Sequence, residues 1–201
     1  MKIVIQFKQS EPVAITPYQP RWVDEFQQIG TNLRRILGKT AVRIDHIGST
    51  SILRLPAKDI IDIQVTVEDL DDPTLMAKLR NSTYQMREAN ICDNYLGIAD
   101  ANSPELRKRY CREATGERNT HIHIRQNGRF NQQYPLLFRD YLRTHEIMRQ
   151  GYATIKSRLA EIYPDSIDGY LYIKDPLMDM IFATAQDWAK TSQWQPGGNF
   201  L

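Results

Sequence analysis

The chain is poor in cysteine, lacks long apolar runs and carries no excess charge of one sign. Two cysteines, Cys92 and Cys111, are too few for a disulfide framework and are not spaced as a CxxC metal pair. Idle thiols in a reducing cytosol are therefore expected. Apolar stretches are broken by charges within a few residues, so no membrane span and no membrane partner is expected. The opening Met1-Lys2-Ile3-Val4-Ile5-Gln6-Phe7-Lys8 is too short an apolar run for a signal peptide and lacks a small-residue cleavage site, which points to a cytoplasmic location. With 26 basic and 24 acidic residues the net charge is only +2, which argues against general nucleic-acid binding through the overall field. Repeats, low-complexity tracts and long linkers are also lacking. What remains is ordinary globular composition, 41% hydrophobic and 25% charged over 201 residues, which suits one domain spanning 1–201. The stretch 191–201, with Pro196-Gly197-Gly198, reads as a loose tail.

Periodicity places the elements. After an extended opening, Trp22, Phe26, Ile29, Leu33, Ile36 and Leu37 recur at three- and four-residue steps and Gly38 follows, predicting an amphipathic helix with one buried face. Residues 41–47 alternate as a half-buried strand, with Val42, Ile44 and His46 on one face and Arg43 and Asp45 on the other. Residues 59–67 form the clearest strand: Ile61, Ile63, Val65 and Val67 share one face, Asp62, Gln64 and Thr66 the other. Asp72-Pro73 is a good N-cap and first-turn pair for a short helix. Residues 83–118 predict one or two strands with charged loops. Thr120–Arg125 reads as a strand, Ile122 and Ile124 inward and His121, His123 and Arg125 outward. The last third is helical in pattern, its final helix predicted to begin at Asp175-Pro176. Strands early and helices late predict an α+β domain and not a doubly wound parallel sheet.

Chemistry concentrates between His46 and Asp62. The string His46-Ile47-Gly48-Ser49-Thr50-Ser51 runs a strand into a glycine- and hydroxyl-rich turn. Such a turn admits a ligand close to the backbone and holds phosphate oxygens well. An ordinary Gly-Ser turn is the plain alternative. Asp62 then projects from a strand so apolar on its other face that it should be central. A carboxylate there suits a Mg²⁺, or Mn²⁺, bridging to a nucleoside triphosphate; the plain alternative is a solvated surface acid.

At these residues the chain resembles the GrpB-like family, also called UPF0157. The resemblance rests on Asp45-His46-Ile47-Gly48-Ser49-Thr50-Ser51, Ala57-Lys58 and Ile60-Ile61-Asp62-Ile63. It continues in Tyr18 to Trp22, His121 to Ile124, Phe138 to Arg143, Tyr152 with Lys156, Tyr170 with Lys174, and Trp188. It implies a nucleotidyltransferase-like mixed β-sheet flanked by helices, with a helical C-terminal third. It also implies that Gly48 and Ser49 form the nucleotide-phosphate turn and that Asp62 is the first metal carboxylate. The second superfamily carboxylate falls on Gln64, a neutral and poor Mg²⁺ ligand, so a clamp of paired carboxylates is incomplete. Two further departures stand out. Ile52-Leu53-Arg54-Leu55 replaces a Val-Pro-Gly-Leu-like stretch, and Lys58-Asp59 replaces Lys-Pro. Asp59 does not substitute for the missing acid, because three residues along a strand it faces away from Asp62.

His121 and His123, two apart on a strand, point the same way and could chelate Zn²⁺, contact phosphate, or act as acid and base. A metal there needs a third ligand, for which His46 and Asp62 are candidates. Among the basic residues Lys58, Arg125, Arg139, Arg143, Lys156 and Lys174, a solvated helix face is the plain reading for any one. Lys58 and Arg139 rank first because they fall in motif blocks. The expectation is a domain that binds a nucleoside triphosphate and a divalent metal and transfers a nucleotidyl group to an acceptor. Asp62, His121 and His123 are its catalytic candidates, and His46, Gly48, Ser49, Thr50, Ser51, Lys58 and Arg139 its ligand contacts. The alternative is a non-catalytic binding domain with a degenerate metal site, a role that the occurrence of GrpB-like segments fused to a coenzyme A biosynthetic kinase would suit.

Overall fold

The computed structural model describes residues 6–197. The first helix, α1, spans Arg21–Leu37, and its predicted stripe is realised: Trp22, Phe26, Leu33 and Leu37 are buried. Gly38 follows at φ +57°, a conformation that ends a helix without a Cβ penalty. Strand β1 (Arg43–Ile47) turns through Ser49–Ser51 and returns antiparallel as β2 (Ile61–Val67). Helix α2 (Pro73–Arg80) starts as its sequence predicts, with the Asp72 carboxylate accepting from the Thr74 amide at 2.8 Å. The stretch 83–118 contributes β3 (Gln85–Met86) and β4 (Lys108–Arg112), and β5 is Thr120–Gln126.

Among the described residues, five strands form one mixed sheet in the order β1-β2-β5-β4-β3. Only the central pair, β2 and β5, is parallel. Its apolar face carries Ile44, Ile61, Ile63, Val65, Val67, Cys111, Ile122 and Ile124, all packed with α1 and α2 in the larger core. Burying those branched side chains, at about 1.5–3 kcal/mol each, fixes which way every β2 and β5 residue points, because a one-residue slip would invert both faces.

Helices α3 (Phe130–Thr144), α4 (Glu146–Ile162) and α5 (Ile167–Ser192) cover the other face. An α+β architecture with a mixed sheet and a helical C-terminal third is thus what the chain forms. Three local expectations are corrected. The face carrying Asp45, Gln64 and Arg125 is not solvated: these side chains are buried beneath the helical layer. Helix α5 begins at Ile167, eight residues before Asp175-Pro176, after the N-cap Ser166, whose hydroxyl accepts from the Gly169 amide. Pro176 lies inside it, and packing against α3 and α4 offsets the lost hydrogen bond. Within the expected loose tail, Ser192 still belongs to α5, the Trp194 indole donates to Asp140, and the Gly197 carbonyl accepts from Arg43 at 3.0 Å. Residues 198–201 lie outside the described residues. So does the start of the extended opening, which from Ser10 to Val13 is tied to Asp165 and Pro164. Among the described residues no helix is long and apolar enough to cross a membrane.

Candidate functional site

The polar face of the sheet is the floor of a cavity of about 1090 Å³, roofed by the helical third and by a loop through residues 90–101. Two register relations assemble the site. Ile47 pairs with Asp62 across the antiparallel β1–β2 ladder, so the turn leaving β1 passes directly beside that carboxylate. Asp62 pairs with His121 across the parallel β2–β5 ladder, so His121 stands beside the acid on the same face. His123, two residues on, shares that face. Candidate ligand atoms of Asp62, His121 and His123 all lie within 4.8 Å of one another.

The approach of the turn to the acid requires glycine. Gly48 sits at φ +67° and ψ −174°, a region almost reserved for glycine. A Cβ at this position would lie 2.2 Å from Asp62 Oδ2. Ser49 follows at the cavity wall, where its hydroxyl accepts from Lys156 Nζ at 2.9 Å. That ammonium also donates to the Pro56 carbonyl at 2.6 Å and lies 4.8 Å from the centre of the Tyr152 ring. Lys58 and Lys174 line the same cavity.

The charges are poised accordingly. Burial resists ionisation of Asp62, but the hydrogen bond from His121 and the field of Lys58 outweigh it and hold the carboxyl below its usual range. Burial, with Arg125 and Lys108 nearby, keeps His123 well below the ordinary imidazole value, hence neutral. Burial also lowers Lys156 to about 7, helped by Lys174 and Lys58, and lowers Lys58 as well. Three amines lining one cavity favour an anionic occupant.

Of the residues singled out from sequence, Asp62, His121, His123, Gly48, Ser49, Thr50 and Lys58 line this cavity, although the Thr50 hydroxyl is engaged internally, against His46 Nε2 and the Ile60 carbonyl. Four others are corrected. His46 points to the opposite side of the sheet, stacked on Phe26 at 4.8 Å between ring centres; burial takes it down to about 3, so it is a neutral core histidine and not a third metal ligand. Ser51 closes the turn by donating to the Gly48 carbonyl at 2.6 Å. Gln64 is fully buried, its amide nitrogen donating to the Gln132 carbonyl and its oxygen accepting from Arg125, so the expected second metal position is closed off. Arg139 is buried at 2% exposure and binds the His46 carbonyl and Asp140, locking helix α3 to strand β1. Arg143 likewise holds the Ser51 carbonyl at 2.7 Å.

Asp59 does face away from Asp62, where it accepts from the Trp22 indole and from Arg21 and Arg118. One residue without any sequence signal matters. Asp93, in the loop over the cavity, accepts from Lys108, Arg125 and Asn131. Although burial opposes its charge, Arg125 and Lys108 hold its pKa far below the usual range. No motif or period marks it. Lys156 did carry a hint, standing one turn after Tyr152 on α4.

The GrpB protein family model matches residues 12–184, and the chain belongs to that family. It is 33% identical over 198 residues to a protein of Mycolicibacterium paratuberculosis named dephospho-CoA kinase, covering 92% of this chain and 49% of that one. It is 31% identical over 179 residues to the UPF0157 protein YqkA of Bacillus subtilis, covering 89% and 48%. The chain therefore spans about half the length of either relative. Among solved structures, the conserved protein GrpB from Enterococcus faecalis superposes with a TM-score of 0.69 at 33% identity, covering 87% of this chain and 99% of that one.

Proposed function

We propose that the cavity binds a nucleoside triphosphate together with a divalent cation held on Asp62, in the manner of a nucleotidyltransferase. One observation carries this reading: the Gly48-Ser49 turn lies against the Asp62 carboxylate on the wall of a cavity lined by Lys58, Lys156 and Lys174. In that arrangement the lysines and the Ser49 hydroxyl would hold phosphate oxygens, and Asp62 would hold the cation, which would supply neutralisation of the polyphosphate charge. An acceptor entering beside His121 and His123 would attack the α-phosphorus, and the α–β phosphoanhydride bond would break, releasing pyrophosphate. In-line transfer needs little more than such positioning and charge neutralisation.

The test is thermal stabilisation of the untagged protein by nucleotides with Mg²⁺, Mn²⁺ or Zn²⁺, with Asp62→Asn in parallel. Dephospho-CoA and coenzyme A belong in the panel because a relative carries a kinase name from that chemistry. A ligand at 100 times its Kd adds about 2.7 kcal/mol, roughly 5–10 °C for a chain of this size. A cation-dependent shift that Asp62→Asn abolishes is the expected outcome. A flat panel refutes the reading.

A second reading, a binding domain without turnover, is favoured by Gln64. The second acid of a paired clamp is absent, and its place is sealed by Arg125 and Gln132. Nucleotide-dependent stabilisation without pyrophosphate release toward any acceptor would select it.

A further inference from the structure

We propose that Asp62, His121 and His123 form a mononuclear site for a borderline transition-metal dication of the zinc type, in preference to magnesium. This deepens the reading above by naming the cation and its ligands. It shares Asp62 with that reading and is testable without any nucleotide.

Placement is the first ground. All three side chains rise from two adjacent, hydrogen-bonded strands in the middle of the sheet, not from loops, so the buried apolar face beneath them fixes their direction. Their ligand atoms already lie within 4.8 Å of one another. Bonds of about 2.0–2.2 Å in a tetrahedral shell need separations of roughly 3.4 Å, a contraction that side-chain rotation supplies. His121 Nδ1 and Asp62 Oδ1 stand 3.1 Å apart across a hydrogen bond whose proton the metal would displace.

Donor chemistry is the second. Magnesium takes oxygen ligands in near-ideal octahedral geometry, but Asp62 is the one carboxylate grouped with His121 and His123; Asp45 is paired with Arg43, Asp93 with Lys108 and Arg125, and Gln64 with Arg125 and Gln132. Two imidazoles beside one carboxylate suit zinc and its neighbours in the first row. The third ground is the surroundings. The His121 and His123 rings flank the Tyr110 ring at 5.7 and 5.1 Å, and the cations near His123, Arg125 and Lys108, are both paired with Asp93. Three protein ligands leave coordination positions open toward the cavity, the arrangement of a site that takes a ligand and not of a closed structural one. Lys58, Lys156 and Lys174, which line the same cavity, would hold the remainder of an anionic ligand whose oxygen completes the shell.

The experiment is titration of untagged, chelator-stripped full-length protein with Zn²⁺, and with Co²⁺ followed by its visible absorption, both without nucleotide. One equivalent should bind, and millimolar Mg²⁺ should not displace it. His123→Ala and Asp62→Asn should weaken binding by at least the 10–100-fold that follows even from outer-shell losses. His145→Ala, whose ring stacks on Tyr141 away from the site, should leave it intact. His121→Asn, at a half-buried position, serves if His123→Ala fails to fold by circular dichroism. Sub-stoichiometric binding, equal affinity in the ligand variants, or displacement by Mg²⁺ would each overturn the proposal. Metal binding with no nucleotide response would refute only the nucleotide reading, and a Mg²⁺-dependent nucleotide response without Zn²⁺ binding only the present one.

Discussion

Replacing Gly48 by alanine tests the central contact of the site. Two penalties add. The backbone at φ +67° and ψ −174° strains any residue with a Cβ by about 1–3 kcal/mol. The new methyl would also sit 2.2 Å from Asp62 Oδ2 and 2.8 Å from Asp62 Cβ, distances that force the carboxylate away from His121. Losing that charged hydrogen bond costs about 1.5–3 kcal/mol. Gly116 supplies the control, at φ +83° with nothing within 4 Å of a built Cβ; alanine there meets backbone strain alone, about 1 kcal/mol. Gly48→Ala should therefore be the less stable variant by roughly 1.5–5 kcal/mol, or roughly 3–20 °C in Tm at about 2–4 °C per kcal/mol. In an Asp62→Ala background the difference should shrink, because residues in contact couple by about 0.5–3 kcal/mol. Differential scanning calorimetry of the four proteins against wild type decides the matter. Equal melting of Gly48→Ala and Gly116→Ala would show that the turn does not press on the acid.

Three further outcomes follow from corrected or buried groups. Gln64→Glu should not create a second metal position: the new carboxylate meets the Gln132 carbonyl where an amide donated, so a loss of about 1–3 kcal/mol with unchanged cation affinity is expected from denaturant melts and metal titration. Arg139→Met should cost about 3–5 kcal/mol, since it strips Asp45 and Asp140 of a buried partner, and Arg139→Lys should restore little because one ammonium lacks the planar fork; ligand affinity of the folded fraction should be unchanged, and a selective loss of affinity would contradict the structural role. Lys156, brought down from 10.5 to about 7 chiefly by burial, is the pH-sensitive group: its charge opposes folding below pH 7, and from pH 7 toward 10.5 the unfolded chain holds a proton that the folded one has released, so stability rises with pH. Between pH 7 and 9 the gain is on the order of 2–3 kcal/mol at about 1.4 kcal/mol per pKa unit, and a Lys156→Met variant that kept the same pH slope would refute the assignment.

Much of this was legible in the residue pattern. The stripe from Trp22 to Leu37, the alternation from Ile61 to Val67 and the Asp72-Pro73 cap each state their own local structure, because helix and strand periods and capping are short-range properties. The motif string from His46 to Asp62 likewise marked which family the chain belongs to. Local pattern was less informative at Pro176, where tertiary packing carries α5 through a residue that ordinarily ends a helix. It was also less informative at Arg54, which holds φ +64°, a conformation that favours glycine.

Tertiary structure alone decided which polar groups are available. Alternation along a strand assigns a side chain to one of two faces but does not say what covers each face. The sequence could therefore not tell that Arg139 and Gln64 lie sealed beneath the helical layer, that His46 stacks in the apolar core, or that Asp93, some 30 residues away in sequence, anchors the loop over the cavity. The parallel register that sets Asp62 beside His121 is also invisible locally, since strand pairing joins residues about 60 apart through contacts no short window contains. Charge and spacing in the chain named the candidates; the buried face of the sheet and the helices packed on the other determined which of them meet.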